Sequence, residues 1–336
     1  MNKVMVGLSG GVDSAVAAYL LREQGYDVAG ATFRMTDEWD EAADAKAVAD
    51  FLEIPHYVFD FRNIFKEKVL DNFLSEYRLG RTPNPCVRCN RFIKFPAFLE
   101  KAQELGYDII ATGHYARTDG ENVYRAKNLA KDQSYMLYNL TKELIPHIRF
   151  PLGEMSKDEI RAIAAREGIP VAHKPDSQDI CFIPDGDTQG YIEREIGEMP
   201  EGNFVDADGN VLGKHRGICR YTVGQRKGLG LSLPEPLYVG KIDPDANEIL
   251  LVKDGELFTR RLIAKNFNWI DGVPEGPMNV TCKIRYAHDA SPAIAGTFMR
   301  DDMAVIVFDT PQRAVTPGQS VVIYDGDRLL GGGVIK

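Results

Sequence analysis

Two groups of residues in this sequence have the types and the spacing that chemistry requires. The first is an octapeptide whose glycines let the backbone approach a ligand and whose serine hydroxyls can donate to oxygen atoms. It comprises Gly7, Leu8, Ser9, Gly10, Gly11, Val12, Asp13 and Ser14. A helix that starts within it would direct backbone N–H groups and a positive dipole end at an anion. We therefore predict a phosphate-binding loop, in which Asp13 is suited to hold Mg2+.

A tight strand-to-helix turn without a ligand is the alternative interpretation of this octapeptide. The sequence around it lacks the GxxxxGK[ST] spacing, so the loop is not a Walker loop. The complete SGGVDS string between an apolar strand and an apolar-periodic helix favours phosphate binding over the bare turn.

The second group consists of three cysteines. Cys86 and Cys89 lie three positions apart on a proline-containing segment beside Arg88 and Arg91, and Cys181 lies far along the chain. Cationic neighbours lower the pKa of a thiol, so this pattern predicts reactive thiolates. Burial as small apolar residues is one alternative, and a structural zinc site is another, although neither a second CxxC nor a nearby histidine pair completes a tetrahedral set.

The remaining cysteines have a different context. Cys219 and Cys282 stand in apparent β segments, outside any CxxC pair on a polar loop, and we expect both to be structural. The five cysteines of the chain are odd in number and unevenly spaced, which is unlike a secreted disulfide framework. The pattern favours a reducing compartment.

The elements that position these residues alternate along the first third of the chain. Apolar segments at 4–8, 28–33, 56–59 and 108–112 read as strands, and helices are expected at about 12–24, 41–52 and in a long stretch through Tyr77. Repeated βα units predict a parallel sheet covered on both faces. Ligands bind at the carboxyl ends of such strands, so the loops at 9–11 and 112–114 are expected to share one site.

The residue pattern of the sequence changes twice after this region. Beyond Lys131 the pattern is helical, and Ser156 with Glu159 has the spacing of a capping box. Beyond about Pro200, short β-branched segments alternate with turn sequences such as DADGN and YDGD, which indicates antiparallel strands in one or two small β domains.

Composition narrows the class of protein. The 336 residues predict two or three domains, each with its own core. The formal net charge of −9 means that any nucleic acid must be held by local basic patches, such as Arg78 to Lys94, Lys214 to Arg220 and Arg226-Lys227. No stretch approaches the 18 apolar residues of a membrane span and no signal-peptide core follows Met1, so we expect a cytoplasmic protein without membrane association.

The octapeptide resembles the pyrophosphate loop of the N-type ATP pyrophosphatases, which cleave ATP between the α and β phosphates and adenylate a substrate. Nearly all of the sequence resembles the tRNA-specific 2-thiouridylases, which convert the wobble uridine of certain tRNAs to 2-thiouridine. The motifs that carry the resemblance are GLSGGVDS, GRTPNPCVRCN, ATGHYAR, NLAKDQSYMLY, FPLGEMSKDEIR, DSQDICFI, YTVGQRKGLG, KIRYA and TPGQSVVIY.

This resemblance implies an α/β fold in which a parallel-sheet, pyrophosphate-loop (PP-loop) nucleotide-binding domain with a helical appendage precedes two β domains. The implied domains are 1–198, with the appendage at about 140–198, then a small central β domain at 199–257 and a C-terminal β-barrel at 258–336. The resemblance also implies that ATP, with Mg2+, binds the octapeptide, that Phe33 lies near the adenosine, and that Gly113 contacts the nucleotide from the second loop. The implied contacts with tRNA are Asn84, Pro85 and Cys86 at the target base, and His114, Lys131, Asp132, Gln133, Arg285, Tyr286 and Gln319 elsewhere.

The family's reaction adenylates the uridine C2 oxygen, which sulfur then displaces. In its persulfide scheme Cys181 carries the sulfane sulfur and Cys89 is the nucleophile. The sulfur reaches the enzyme from a donor, which would be a sulfur-carrier protein, a cysteine desulfurase or sulfide.

The sequence departs from the family at Cys86, where many members carry an aspartate with a base-like role. The substitution creates three cysteines, the number that holds a four-iron four-sulfur cluster with one iron open to a sulfide. Cys86, Cys89 and Cys181 are therefore candidate cluster ligands as well as candidates for the persulfide route.

Two other functions are compatible with parts of the pattern. Another adenylating enzyme of the same superfamily, such as an amide synthetase, would share the phosphate loop but would need neither the three cysteines nor the RNA-contact motifs. A non-catalytic RNA-binding protein would not release pyrophosphate from ATP when tRNA is added.

Overall fold

The computed structural model describes residues 2–37, 42–175 and 180–336. The chain divides into two compact units: the first comprises Met1–Val69, Cys86–Gln178 and Asp327–Leu329, and the second comprises Leu70–Pro85, Asp179–Gly326 and Leu330–Lys336. The units are interleaved along the chain because the segment at 70–85 belongs to the second. The domain limits at 198/199 and 257/258 stay predictions.

The first unit is built on a parallel sheet. Its strands are β1 (Lys3–Gly7), β2 (Asp27–Arg34), β3 (His56–Asp60), β4 (Ile109–Ala111), β5 (Ala116–Thr118), β6 (Val123–Arg125) and β7 (Ile148–Arg149). Five of them form one sheet in the order β3-β2-β1-β4-β7, with every pairing parallel. The strands β5 and β6 form an antiparallel hairpin outside this sheet, and Tyr124 of β6 also pairs antiparallel with Arg328. The predicted parallel α/β fold is confirmed.

The helices of the chain are short. They are α1 (Val12–Glu23), α2 (Ala42–Phe51), α3 (Arg62–Phe65), α4 (Asp71–Arg78), α5 (Pro85–Cys89), α6 (Phe98–Glu104), α7 (Lys157–Arg166) and α8 (Thr188–Ile196). The predicted capping box at the start of α7 is present, with the Ser156 side chain accepting from the Glu159 backbone N–H and the Glu159 carboxylate accepting from Ser156. Among the described residues, no helix combines the length and the apolar composition needed to cross a membrane.

The long helix predicted through Tyr77 is interrupted by a π-helical segment at Lys66–Leu70, between α3 and α4. Buried residues recur every four positions there, at Phe65, Val69 and Phe73. A straight α-helix turns about 100° per residue, so a spacing of four moves each buried side chain about 40° around the axis. The wider π turn offsets that drift, which periodicity alone did not predict.

The core of the first unit lies between the sheet and its helices. Apolar residues of β1 and α1 are buried together with Ile160 and Ala164 of α7 and with Leu152. The helix α7 is therefore packed into the same core as the helix that follows the phosphate loop.

The second unit contains ten strands. They are β8 (Gly202–Val205), β9 (Val211–His215), β10 (Tyr238–Asp243), β11 (Glu248–Val252), β12 (Phe258–Trp269), β13 (Met278–Lys283), β14 (Ser291–Phe298), β15 (Arg300–Arg313), β16 (Ser320–Asp325) and β17 (Arg328–Ile335). The first four form a sheet in the order β10-β11-β8-β9, in which β8 and β11 are parallel. The expectation of antiparallel strands throughout was wrong at this pair, because the long connection between β8 and β11 returns the chain in the same direction.

The last six strands form a closed barrel in the order β12-β15-β14-β13-β16-β17. The strands β12 and β17 pair with each other, with Ala264 opposite Ile335, and this pairing closes the barrel. Side chains that alternate along the strands fill the interior, among them Ile306, Phe308 and Ile323. The predicted C-terminal β-barrel is confirmed.

Candidate active site

The phosphate loop follows β1 and leads into α1, as predicted. The Leu8 N–H donates to the Ala31 carbonyl at 2.7 Å, which continues the pairing of β1 with β2 past the end of the strand. The Ser14 hydroxyl is buried, donates to the Gly11 carbonyl at 3.1 Å and accepts from the Ser9 N–H at 3.2 Å. The Ser9 residue itself is exposed. The Ser9 hydroxyl lies 3.2 Å from the Ser14 hydroxyl, so Ser14 stabilises the loop while Ser9 stays exposed at its surface.

The second loop, after β4, lies directly against the first. A Cβ atom on Gly113 would fall 2.9 Å from the Ser14 backbone nitrogen and 3.0 Å from the Asp13 carbonyl carbon. No side chain larger than hydrogen fits at that distance, because real Cβ contacts under 3.0 Å essentially never occur. The two sequence-distant loops therefore lie side by side, and their sharing of one ligand stays a prediction.

Asp13 has two partners that the sequence did not predict. The Lys157 ammonium donates to both carboxylate oxygens, at 2.8 and 2.9 Å, and the Tyr115 hydroxyl donates to Oδ1 at 2.8 Å. The side chain of Lys157 is 12% exposed and that of Asp13 is 32% exposed, so the ion pair is only partly shielded from water. The position of Lys157 could have predicted this contact. A lysine in the first turn of a helix is disfavoured by the helix dipole, so an acidic partner from elsewhere in the chain is expected beside it.

The Asp13 carboxylate is the acidic group of the described loop residues that suits Mg2+. In this arrangement its oxygens accept hydrogen bonds from Lys157 and Tyr115. Mg2+ usually keeps several waters and binds one or two carboxylates together with phosphate oxygens. Asp13 is therefore suited to be a single carboxylate ligand, once Lys157 and Tyr115 release its oxygens.

Phe33 lies near the end of β2, beside the loop. Its ring contacts Phe98 at 4.7 Å and Phe61 at 5.4 Å between centroids, in edge-on geometry. A Cβ atom on Gly7 would come within 3.4 Å of the Phe33 ring. The ring is half-buried, and it forms an apolar wall of the kind on which an adenine can pack.

The CxxC pair lies on α5 and is presented asymmetrically, with Cys86 exposed and Cys89 buried. The next residue, Asn90, donates from its amide to the Met136 carbonyl at 3.1 Å, and so ties the end of α5 to a 3-10 turn. The π-helical segment that follows α5 places Phe95 5.7 Å from His114, ring to ring. The helix that carries the cysteines is therefore linked by packing to the second loop of the phosphate site.

The basic residues beside the CxxC pair are already engaged. The Arg88 guanidinium donates to the Lys68 carbonyl at 2.6 Å and lies 5.0 Å from the Phe92 ring centroid, and Arg91 stacks on the same ring at 5.3 Å. These contacts hold two cations close to α5.

His114 is held in its neutral form. Its Nδ1 lies 2.8 Å from the Thr112 hydroxyl, and its ring is enclosed by Phe95 and Phe150. Burial, with a smaller contribution from the Lys94 charge, lowers the pKa of His114 to about 3. A neutral imidazole offers RNA a hydrogen bond rather than a charge.

The predicted tRNA-contact residues at 131–133 play unequal parts. Lys131 is exposed. Asp132 is buried, and its carboxylate accepts from the Ala126 N–H, the Ser134 N–H and the Ser134 hydroxyl at 2.9, 3.1 and 2.8 Å. Gln133 accepts from the Tyr115 N–H through its side chain at 3.0 Å, and so supports the second loop. In this group only the lysine is directed to solvent.

Cys181 belongs to the second unit and is exposed. Its neighbours Ile180 and Phe182 pack against a buried cluster that includes Phe73 and Cys219. The apolar neighbours fix the segment while the thiol stays accessible.

The other two cysteines are buried. Desolvation raises the pKa of the Cys219 thiol, with Glu193 adding to the effect, and raises that of Cys282 to about 12. Their surroundings disfavour the thiolate, which accords with the expected structural roles.

Two of the three predicted C-terminal contacts are used inside the second unit. Arg285 donates to the Ala314 carbonyl at 2.6 Å and to the Thr316 hydroxyl at 2.7 Å. Gln319 donates to the Thr82 carbonyl at 2.8 Å. Tyr286 is exposed, and the Lys283 ammonium lies 5.8 Å from its ring centroid.

A three-ligand metal site is not seen in the described part of the chain. Within residues 2–37, 42–175 and 180–336, no three histidine, cysteine, aspartate or glutamate side chains are grouped closely enough to hold a metal ion.

A glycine loop between a parallel strand and a helix, with a second strand-end loop against it, defines the PP-loop class of nucleotide-binding proteins. Family models match three successive parts of the chain: a tRNA methyl transferase HUP domain at residues 2–185, a tRNA methyl transferase PRC-barrel domain at 189–253, and an aminomethyltransferase β-barrel domain at 259–335.

Curated relatives match the chain from end to end. The tRNA-specific 2-thiouridylase MnmA of Acetivibrio thermocellus is 48% identical, with 100% of this chain and 99% of the relative covered. The tRNA-specific 2-thiouridylase MnmA 2 of Clostridium tetani is 49% identical with the same coverage. The chain belongs to the tRNA-specific 2-thiouridylase family, a family of tRNA sulfurtransferases. Among solved structures, a 4-thiouridine synthetase in complex with RNA and ATP matches with a TM-score of 0.38 and 19% identity, over 58% of this chain and 50% of that one.

Proposed function

We propose that this chain converts the wobble uridine of tRNA to 2-thiouridine at the expense of ATP. The observation that carries the proposal is the packing of the Gly113 loop against Asp13 and Ser14, in the unit that also holds Cys86 and Cys89. A nucleotide-binding loop and a thiol pair on linked elements are what adenylation followed by sulfur transfer requires. Membership of the thiouridylase family supplies the acceptor.

In the proposed first step the uridine C2 oxygen attacks the α-phosphorus of ATP, and pyrophosphate departs. The octapeptide residues 7–14 and Gly113 bind the phosphates, and Phe33 packs on the adenosine. Backbone N–H groups and the α1 dipole stabilise the negative charge of the leaving pyrophosphate. The tRNA is held at Asn84, Pro85, Cys86 and His114, and by Lys131, Gln133, Arg285 and Tyr286.

In the proposed second step Cys181 carries a persulfide delivered by the donor. The Cys89 thiolate attacks the Cys181 sulfur, a Cys89–Cys181 disulfide forms, and sulfide leaves with the electron pair of the broken S–S bond. That sulfide attacks C2 and displaces AMP. A dithiol reductant then restores both thiols. Alternatively the persulfide attacks C2 directly and Cys89 closes the disulfide afterwards.

No step of the proposed reaction is assigned to an iron–sulfur cluster. Cys86 is exposed on α5 and stays a proposed contact of the target base. The free thiols and the tRNA substrate accord with a cytoplasmic location.

The proposal is tested by adding unmodified tRNA to the protein with ATP, a persulfide donor and a dithiol. We expect pyrophosphate release that depends on tRNA, and 2-thiouridine in the digested RNA. ATP cleavage without tRNA would indicate a small-molecule adenylating enzyme, and RNA binding without ATP cleavage would indicate an inert binder. Methylation of the uridine, the reaction named in the description of two of the family models, would contradict the proposal.

A further inference from the structure

One residue of the second unit, Thr82, has all of its polar groups bonded. Its N–H donates to the Pro317 carbonyl at 3.0 Å, and its carbonyl accepts from the Gln319 side chain at 2.8 Å. Its hydroxyl lies 3.0 Å from the hydroxyl of Thr222. Two of these partners come from the turn between β15 and β16 of the barrel, and the third comes from the central β region.

The barrel turn is shaped to fit this residue. Gly318 adopts a φ of +91°, and a Cβ atom there would fall 2.9 Å from the Thr82 nitrogen and 3.0 Å from the Arg81 Cβ. The turn therefore needs glycine for its conformation and for the closeness of the two backbones. Gln319, the next residue, reaches back over the same backbone.

The segment after Thr82 is stiff. Pro83 and Pro85 have fixed φ angles, and the residues before them are restricted to extended conformations. Pro85 begins α5, which carries Cys86 and Cys89. A displacement of Thr82 is therefore transmitted along the segment to the start of α5, because the intervening residues have few conformations with which to absorb it.

We propose that Gln319 is a positioning residue, which holds Thr82 and thereby fixes the place of α5 and of the Cys86 thiol. This rests on the proposed function only in that α5 is taken as the helix that meets the target uridine. The family resemblance implies a contact between Gln319 and tRNA. The structure instead assigns its side-chain N–H to the Thr82 carbonyl.

The first test compares Gln319→Ala with Gln312→Ala, a control on β15 whose glutamine also donates to a backbone carbonyl, that of Thr310, within the barrel. At saturating tRNA and ATP, we expect Gln319→Ala to slow single-turnover thiolation about 10-fold, because the variant loses a hydrogen bond to a partly buried carbonyl. The dissociation constant for tRNA should change by less than about 2-fold. The control should match the wild type in both.

A second readout is independent of catalysis. The rate of Cys86 alkylation by iodoacetamide, followed by peptide mass spectrometry without tRNA, should change about 3-fold or more in Gln319→Ala, because the exposure of a thiol sets its reactivity. Thr222→Val removes the third partner of Thr82 from a different part of the unit and should have the same effect, and Thr222→Ser should restore wild-type behaviour.

The proposal would be overturned if Gln319→Ala bound tRNA more weakly while its thiolation rate at saturating tRNA and its rate of Cys86 alkylation were unchanged. Gln319 would then be a direct RNA contact. If the wild type does not thiolate tRNA, the alkylation rates still decide it, so the two failures are distinguishable. If Gln319→Ala is unfolded by circular dichroism, the Thr222→Val and Thr222→Ser pair decides: unchanged Cys86 alkylation in Thr222→Val would refute the anchoring of α5.

Discussion

The ammonium of Lys157 lies 2.8 and 2.9 Å from the two carboxylate oxygens of Asp13, across 144 residues of chain. The carboxylate of the phosphate loop is thus neutralised by a lysine at the first position of α7. An unpaired carboxylate here would repel the phosphates of ATP.

Replacement of Lys157 by Met should weaken the interaction with ATP. Loss of a charge-assisted hydrogen bond worth about 1.5–3 kcal/mol predicts a KM for ATP that is at least about 10-fold higher. The measurement is tRNA-dependent pyrophosphate release over a range of ATP concentrations. Lys174→Met is the matched control, since Lys174 pairs with Asp44 on the surface of the same unit, where an ion pair contributes little. Equal KM values in the two variants would refute this role.

Substitution of the cysteines should separate the adenylation step of the proposed reaction from the sulfur-transfer step. Cys89→Ser and Cys181→Ser should each abolish 2-thiouridine formation, because neither the sulfur carrier nor its nucleophile can be replaced by a hydroxyl. Both variants should still bind tRNA and release pyrophosphate. Cys282→Ser, at a buried thiol of the barrel, should keep the activity of whatever fraction folds. Thiolation by either of the first two variants contradicts their assignment.

Iron content decides between the two sulfur routes. Protein purified without oxygen should contain far less than the roughly four iron and four acid-labile sulfide per chain of a full cluster. Cys86→Asp, which places the residue common in the family on α5, should keep thiolation from a persulfide donor. A broad visible band and full iron that are lost in Cys86→Asp together with thiolation would establish the cluster instead.

Lys131 and Asp132 are adjacent but should respond differently to mutation. Lys131→Ala removes an exposed charge, so it should weaken tRNA binding and lower the slope of log affinity against log salt by about 1. Asp132→Asn replaces an acceptor of three hydrogen bonds, so it should lower the free energy of unfolding by about 1–3 kcal/mol. Filter binding and urea unfolding measure the two effects. An Asp132→Asn protein of normal stability that fails to bind tRNA would show a direct contact.

The lowered pKa of His114 predicts a loss of stability in acid. Between pH 6.5, its ordinary pKa, and about 3, the unfolded chain takes up a proton that the folded protein does not. Stability contributed by this site is therefore complete above pH 6.5 and falls as the pH drops. Between pH 7.5 and 5.0 the wild type should lose about 1–2 kcal/mol more than His114→Gln, as measured by urea unfolding at both pH values. Equal losses in the two proteins would mean that His114 takes up its proton normally.

Local patterns in the sequence predicted much of the site. The start of α1 within the octapeptide, the capping box at Ser156 and the meeting of the loops at Ser14 and Gly113 all follow from short-range patterns and the rule for parallel sheets. The partners of Asp13 and of Thr82 could not be predicted this way. Lys157 and Gln319 are 144 and 237 residues from the groups they bond, and only the packed fold chooses among the lysines and glutamines of the chain.

The interleaving of the two units bears on how the protein is made. When a ribosome has delivered residue 198, the chain contains the whole parallel sheet, but Pro317 and Gln319, two of the three partners of Thr82, are more than a hundred positions away from synthesis. The segment at 70–85 can by then bury Phe73 and Tyr77 against Ile183 and Ile192, which are already synthesised. Only after Pro317 and Gln319 emerge can Thr82 have all of its partners. The segment that leads into α5 is therefore synthesised early and receives its last contacts late.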